Sequence, residues 1–337
     1  MKKVAFVVSS IGGGGAEKSA LSIVSELKSQ GVDIELLAIN DDKNFVETII
    51  SPISVGRKWK SGIPQVIHAI FKFRRILKSN KIETLVLNCD LPELFGVFSP
   101  LKTRLVLIEH ANPPWSNRKL LGKFVRYCLS KRSIDYVVVS SHLDIAYING
   151  AKPSLIQNPL MPLELNWKYK TGDKIKRLVY VGRLSKVFKR PDWVLKIAEL
   201  LELPCLMLGD GELLEALKIE SVKSRIPLET PGFVKDPWTF FCEGDLLIIP
   251  SSAEGDGLVL VEAVQRSIPF LATNIPDLNK YGIGESNYCN DIDEFVSRIR
   301  LFSNELESLV VPEVIRRKYI AERDLRVICE KWRDLLY

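Results

Sequence analysis

The stretch Pro250-Ser251-Ser252-Ala253-Glu254-Gly255-Asp256-Gly257-Leu258-Val259-Leu260-Val261-Glu262-Ala263 decides how this chain is read. An apolar run, Asp245–Pro250, leads into it as a strand, and an apolar helix, Leu258–Ser267, leads out. A continuously apolar strand is one covered on both faces, as in a parallel α/β sheet. The helix start leaves the N–H groups of Leu258 and Val259 without intrahelical partners, so they can bind a phosphate. Glu254, in the loop, can accept hydrogen bonds from sugar hydroxyls. Glu262, about one and a half turns into the helix, can accept them from a ribose diol.

The same alternation extends in both directions. Downstream comes a strand at Phe270–Ala272; upstream are strands at Arg177–Val181 and Cys205–Gly209, with helices at Pro191–Leu201 and Glu212–Ser221. Pro, Lys and Gly crowd the stretch Asn158–Lys176, which reads as a linker. Before it lie strands at Val4–Ser9, Ile34–Ile39, Thr84–Asn88, Leu105–Glu109 and Tyr136–Ser140. Helices are expected at Ala16–Gln30, Pro64–Ser79, Leu91–Ser99 and Leu120–Ser130. Two βαβ arrays of ordinary domain size result. We expect domains at 1–165 and 166–318. The tail, Glu313–Leu336, reads as one or two amphipathic helices, and residues 319–337 are expected to pack back on the first domain.

Two further motifs sit at strand ends, where open α/β sheets bind ligands. Gly12–Gly15, followed by Ala16-Glu17-Lys18-Ser19, is a glycine-rich turn entering a helix. It fails the dinucleotide fingerprint, because Glu17 or Lys18 stands where a small residue is required, and it fails the P-loop, because Glu17 precedes Lys-Ser. Four successive glycines cost backbone entropy, which favours a ligand or a close backbone approach. Gly182-Arg183-Leu184 ends another strand and Lys189 follows; two cations there could hold a diphosphate and stabilise it as a leaving group.

Composition narrows the class. The chain has 337 residues, a net charge of +6, and 46% hydrophobic against 26% charged residues, which is a globular composition. No apolar run is long enough to span a bilayer. Met1-Lys2-Lys3 and the apolar run after it imitate a signal peptide, but the run is too short and reads as the first strand. Six cysteines, none close to another, suit reduced thiols in the cytosol better than a zinc site or disulfides. Residues 57–81 carry eight Lys/Arg, residues 118–132 carry six, and neither segment holds an acid. Such a basic half suits an anionic partner. The segment 63–79 sets Val66, Ile67, Ile70, Phe71, Ile76 and Leu77 against Lys72, Arg74, Arg75 and Lys78, as in a helix lying on an anionic membrane or one packed on the core with a solvated basic side. No nucleic-acid-binding signature accompanies the charge.

With Glu254 and Glu262 spaced E-x7-E, the stretch EGDGLVLVE resembles the signature of glycosyltransferase family 4, retaining enzymes of the GT-B fold. Gly14-Gly15-Ala16-Glu17 is similar to that family's N-terminal glycine loop, and Gly182-Arg183-Leu184 with Lys189 to its phosphate-binding pair. Gly209-Asp210-Gly211-Glu212 resembles its GDGP-type turn, and Pro231-Gly232-Phe233-Val234 the loop framing the nucleobase. The resemblance implies two Rossmann-like domains facing across a cleft. Glu254 would touch the transferred sugar and Glu262 the ribose. Arg183 and Lys189 would neutralise the diphosphate, with main-chain donors at Gly257 and Leu258. Gly15, Gly182 and Val234 would also line the donor, and Gly14 and Glu17 would lie on the acceptor side. His110, at the end of Leu105–Glu109, matches the family's histidine beside the donor sugar. No metal or other cofactor is expected, and no D-x-D pair stands at a strand end.

The reaction implied is transfer from a nucleotide sugar to a glycan or lipid-linked acceptor, in cell-surface polysaccharide or lipopolysaccharide synthesis, at or near the inner face of the cytoplasmic membrane. A GT-B-like epimerase or phosphorylase is the alternative. The chain departs from the family pattern at Ser267, where glycine is usual, at Asp256, where an aromatic is common, and over Asn274–Tyr281.

Overall fold

Apolar runs that alternate with helical stretches fold into two parallel sheets in the computed structural model, which describes residues 3–11, 14–41, 50–58, 62–110, 115, 118–140, 153–163, 169–279 and 282–337. By its contacts the chain divides into two units: Met1–Met161 with Glu322–Tyr337, and Pro162–Ala321.

The first unit is built on seven strands: β1 (Val4–Val8), β2 (Ile34–Asn40), β3 (Ile53–Arg57), β4 (Thr84–Asn88), β5 (Arg104–Glu109), β6 (Ile134–Val138) and β7 (Ser154–Leu155). Their order is β3-β2-β1-β4-β5-β6-β7, and every pairing is parallel. Helices α1 (Gly15–Ser29), α2 (Ile63–Ser79), α3 (Asp90–Val97) and α4 (Lys119–Leu129) connect them. All five residues of β1 are buried, and the two-residue strand period splits them between two cores. Val4, Phe6 and Val8 pack with Ile23, Val24 and Leu27 of α1. Ala5 and Val7 pack in the opposite core with Phe73 of α2, Phe95 of α3 and Val125 of α4.

The second unit repeats the plan with β8 (Arg177–Val181), β9 (Cys205–Leu208), β10 (Leu228–Gly232), β11 (Asp245–Ile249), β12 (Phe270–Thr273) and β13 (Tyr288–Cys289). Its parallel order, β10-β9-β8-β11-β12-β13, is that of the first six strands of unit one and of the Rossmann fold. Helices α5 (Pro191–Leu201), α6 (Leu214–Ser224), α7 (Leu258–Gln265), α8 (Pro276–Asn279), α9 (Ile292–Leu301) and α10 (Glu313–Glu322) complete it. In each sheet the strand order reverses beside the first strand, between β1 and β4 and between β8 and β11. The crevice outside the strand ends at that point is where such sheets bind ligands.

The last helix, α11 (Leu325–Leu336), belongs to unit one. It presents Ile328, Cys329, Trp332 and Leu336 to the core, and Trp332 meets Phe6 edge-on with ring centroids 5.0 Å apart. Arg104 of β5 donates to the carbonyls of Leu335 and Leu336, at 2.8 and 3.0 Å. Those carbonyls close the helix and have no intrahelical donor of their own.

Candidate active site

At the crossover of unit two, the ends of β8 and β11 bring a lysine and a glutamate together. The segment after β8 turns sharply: Phe188 and Arg190 take left-handed backbone, φ 69° and 47°, on either side of Lys189. Non-glycine residues pay for that conformation, so the surroundings must fix it. The Phe188 carbonyl accepts the Ser252 N–H at 2.7 Å, tying this turn to the loop after β11. Lys189 Nζ then lies 2.6 Å from Glu254 Oε1. The same oxygen accepts from Ser251 Oγ at 2.6 Å, and the Glu254 N–H donates to Asp277 Oδ2 at 3.1 Å. Lys189 has three N–H donors, of which Glu254 takes one.

The approach to this point is glycine-lined for a steric reason. Gly182 and Gly209 have φ of 152° and 150°, and a Cβ on Gly209 would run into the Gly182 carbonyl oxygen. A Cβ on Gly211 would run into the Leu184 carbonyl in the same way. Beneath Gly182, Tyr180 donates its hydroxyl to the Arg183 carbonyl at 2.8 Å. Burial, followed by the charge of Glu254, raises that phenol well above its ordinary pKa, so it remains a donor. The Arg183 side chain is exposed. Its charge is one of the influences that lower the Glu212 carboxyl, after hydrogen bonds from the Glu212 and Lys186 amides and the Ser185 hydroxyl.

Helix α7 starts at Gly257, whose φ of 64° is left-handed and suits glycine. Glu262 is the fifth residue of α7 and is half-buried. Its Oε2 accepts from Trp238 Nε1 at 3.0 Å, and the Arg266 guanidinium lies 5.0 Å from the Trp238 ring centroid. Val234 packs on the small cluster formed by Val179, Leu206 and Leu208. Ser267, at the departure from the family pattern, has φ 58°. Glycine relieves that backbone cost, which accounts for the family preference.

Unit one gathers a second set of residues at the ends of β1, β4 and β5. Gly14 caps α1 and the Glu17 carboxylate folds back beside it. Gly15 opens that helix; Gly12 and Gly13 lie outside the described residues, as do Lys280 and Tyr281. His110 Nε2 is 2.6 Å from Asn88 Oδ1, and Asn88 Nδ2 donates to the Ala16 carbonyl at 3.2 Å, so one asparagine links β4, the histidine and the glycine turn. His110, Asn88 and Ser19 line a small hollow with Phe6 and Trp332.

Next to His110, Glu109 is buried with Glu93, and Arg126 of α4 donates to both, at 2.9 Å to Glu93. Trp115 Nε1 donates to Glu93 at 2.7 Å. Burial, then the charge of Glu109, pushes the Glu93 carboxyl up to about 8 despite the guanidinium. Burial likewise raises Glu109. One cation cannot offset the desolvation of two carboxylates.

The structure therefore groups Lys189, Glu254, Gly182, Gly257, Leu258 and Glu262 around one edge of unit two, and His110, Gly14, Gly15 and Glu17 around the corresponding edge of unit one. The sequence reading did not single out Ser251, Asp277, Trp238, Tyr180 or Asn88. Of these, Asn88 carried a signal, a polar residue closing the apolar run Leu85-Val86-Leu87.

The model of Glycosyltransferase Family 4 matches residues 13–156, and that of Glycosyl transferases group 1 matches residues 175–304, so between them most of each unit is covered. The chain belongs to glycosyltransferase family 4. As a family 4 member it is a glycosyltransferase that uses a nucleotide-sugar donor. An uncharacterized glycosyltransferase of Haemophilus influenzae is 24% identical, with 100% of both chains covered. A GalNAc-α-(1→4)-GalNAc-α-(1→3)-diNAcBac-PP-undecaprenol α-1,4-N-acetyl-D-galactosaminyltransferase of Campylobacter jejuni is 22% identical over 78% of this chain and 77% of its own. Among solved structures, Anabaena HepE in complex with UDP and glucose superposes with a TM-score of 0.79, at 13% identity over 100% of this chain and 99% of its own. The apo lipopolysaccharide outer core galactosyltransferase WaaB gives 0.67, at 17% identity over 99% of both. These likenesses place this family 4 chain in the GT-B fold. Among the described residues no helix is long and apolar enough to cross a membrane, and no cluster of His, Cys, Asp and Glu could hold a metal ion.

Proposed function

We propose that this chain transfers a sugar, with retention, from a UDP-type donor to a glycan or lipid-linked acceptor in cell-surface polysaccharide or lipopolysaccharide synthesis. The observation that carries the reading is the Lys189–Glu254–Ser251 group at the crossover of unit two. Glu254 Oε1 is held by Lys189 and Ser251, and we assign Oε2 to a hydroxyl of the transferred sugar. Breaking the anomeric bond builds negative charge on the leaving diphosphate. Two further N–H donors of Lys189, the Arg183 guanidinium and the start of α7 at Gly257 and Leu258 would stabilise it, and losing one such donor typically costs 10²–10³ in rate. Glu262, oriented by Trp238, would take the ribose, with Val234 near the base. In unit one, His110 would act on the sugar side, and Gly14, Gly15 and Glu17 would line the acceptor and donor entrances. The names of the Campylobacter relative and of WaaB support the acceptor class.

Glu254→Ala tests this. The variant should keep its fold and its nucleoside diphosphate binding, read as a ligand-dependent rise in Tm, and lose transfer from a labelled donor. Full turnover in that variant would remove Glu254 from the site. Product analysis of the unaltered chain separates a glycoside from an epimer or a sugar phosphate.

A further inference from the structure

Helix α4 carries two apolar faces. Gly122, Val125 and Leu129 are buried, and Gly122 sits so close to Trp115 that a Cβ there would collide with the indole. Leu120, Phe124 and Tyr127 are 83%, 57% and 63% exposed. At about 100° per residue these three fall within roughly 60° of one another, and their stripe lies opposite the core-facing one. A solvated helix ordinarily turns polar residues outward on that side.

Cations surround the stripe. The sequence holds no acid between His110 and Ile134. Of the six Lys/Arg at 118–132, Arg126 turns inward to Glu93 and Glu109. Arg132 binds the carbonyls of Gly96, Ser99, Pro100 and Thr103. Arg118, Lys119, Lys123 and Lys131 remain exposed, with Lys131 Nζ 5.0 Å from the Tyr127 ring centroid. The carbonyls held by Arg132 pin the turn after α3 to the end of α4, and that turn displays Leu101, 88% exposed, beside Lys102. Helix α2 packs into the same core on the same side of the sheet. It buries Ala69, Phe73 and Leu77 and leaves Ile67 and Phe71 outside among exposed Lys72, Arg74, Arg75 and Lys78. The helix at 63–79 is thus chiefly a core helix, and the more outward apolar face belongs to α4.

We infer that this outer surface, led by Leu120, Phe124 and Tyr127, docks on an anionic phospholipid bilayer, with the rings and Leu120 in the headgroup boundary and Arg118, Lys119, Lys123 and Lys131 on lipid phosphates. Apolar side chains encircled by cations with no acid among them fit that partner. A second copy of the same face is disfavoured, since self-pairing would oppose like charges. The inference concerns docking alone and stands apart from the transfer reading.

The test is co-sedimentation of the full chain with phosphatidylglycerol–phosphatidylcholine vesicles and with pure phosphatidylcholine vesicles, without donor. Binding should require the anionic lipid and weaken as salt rises. Replacing Leu120, Phe124 and Tyr127 together by Ser should lower partitioning about tenfold or more. Lys119→Gln and Lys123→Gln should each cost roughly fivefold. Val314→Ser, at an exposed apolar site in unit two, should change nothing. Unchanged Tm and donor hydrolysis in the triple variant would separate a docking defect from a folding or catalytic one. Equal binding to neutral vesicles, undiminished binding by the triple variant, or a dimer of the unaltered chain that the variant abolishes would each overturn the inference.

Discussion

Trp238→Phe tests the proposed grip on the donor separately from the chemistry. The substitution removes the Nε1–H that reaches Glu262 Oε2 at 3.0 Å. It keeps an aromatic face for Arg266, 5.0 Å away, and for Phe241, 5.5 Å between centroids. A hydrogen bond to a charged acceptor contributes about 1.5–3 kcal/mol. Glu262 is half-buried, so water replaces part of that, and a loss of about 1–1.5 kcal/mol in donor binding is expected. That is roughly a tenfold rise in donor KM. In the proposed role of Glu262 the ribose contact would be remote from the bond being broken and made equally in ground and transition states, so kcat should stay within about twofold. The smaller ring costs about 1–2 kcal/mol of packing, or roughly 2–8 °C in Tm for a domain of this size. Steady-state release of nucleoside diphosphate at varied donor gives both constants, and a thermal melt gives the third quantity. An unchanged donor KM, or a fall in kcat at constant KM, would refute Trp238 as the residue that orients Glu262.

Gly209→Ala should abolish soluble unit two or lower its stability by more than about 3 kcal/mol, because the new Cβ meets the Gly182 carbonyl oxygen, backbone against backbone. Gly232→Ala, at φ 84° with open space around it, should cost only about 1–2 kcal/mol; paired melts compare the two. The Glu93 carboxyl, raised from 4.5 to about 8, binds its proton more tightly in the folded chain, so its stabilising effect is complete below 4.5 and is lost as pH rises through about 8. Melts across that range should show Tm falling in the native chain and a flatter profile in Glu93→Gln, which cannot ionise; parallel profiles would show that Glu93 does not titrate there.

Continuous apolar runs made the central strands legible. Thr84–Asn88 and Arg177–Val181 occur at the residues the sequence pattern marks, since strands buried on both faces admit little else. The edge strands were not legible. Ile53–Arg57, with two of its five residues exposed, and Leu228–Gly232, which carries Glu, Thr and Pro, lie at sheet edges and lack a continuous apolar run. At the site, Glu254, Glu262 and Lys189 could be read because glycine turns and strand ends bracket them. Asp277 and Trp238 come from other turns and are joined to their partners only by folding, so no spacing rule reveals them, whereas Ser251 sits three residues before Glu254 in the same loop. The outward face of α4 shows how burial sorts residues that composition cannot: Val125 and Phe124 are neighbours in sequence, one in the core and one in water.

The return of residues 322–337 to the first unit constrains the order in which this protein can be made. Trp332 covers Phe6, and Arg104 waits for carbonyls at 335 and 336. A ribosome that has delivered residues 1–161 has therefore made every strand of that unit but not the helix that seals one side of it. The whole second unit, about half the chain, must emerge first. Until it does, Phe6, Val24 and Leu27 lack the cover that Ile328, Cys329 and Trp332 later provide, and the nascent chain exposes an apolar surface suited to a chaperone.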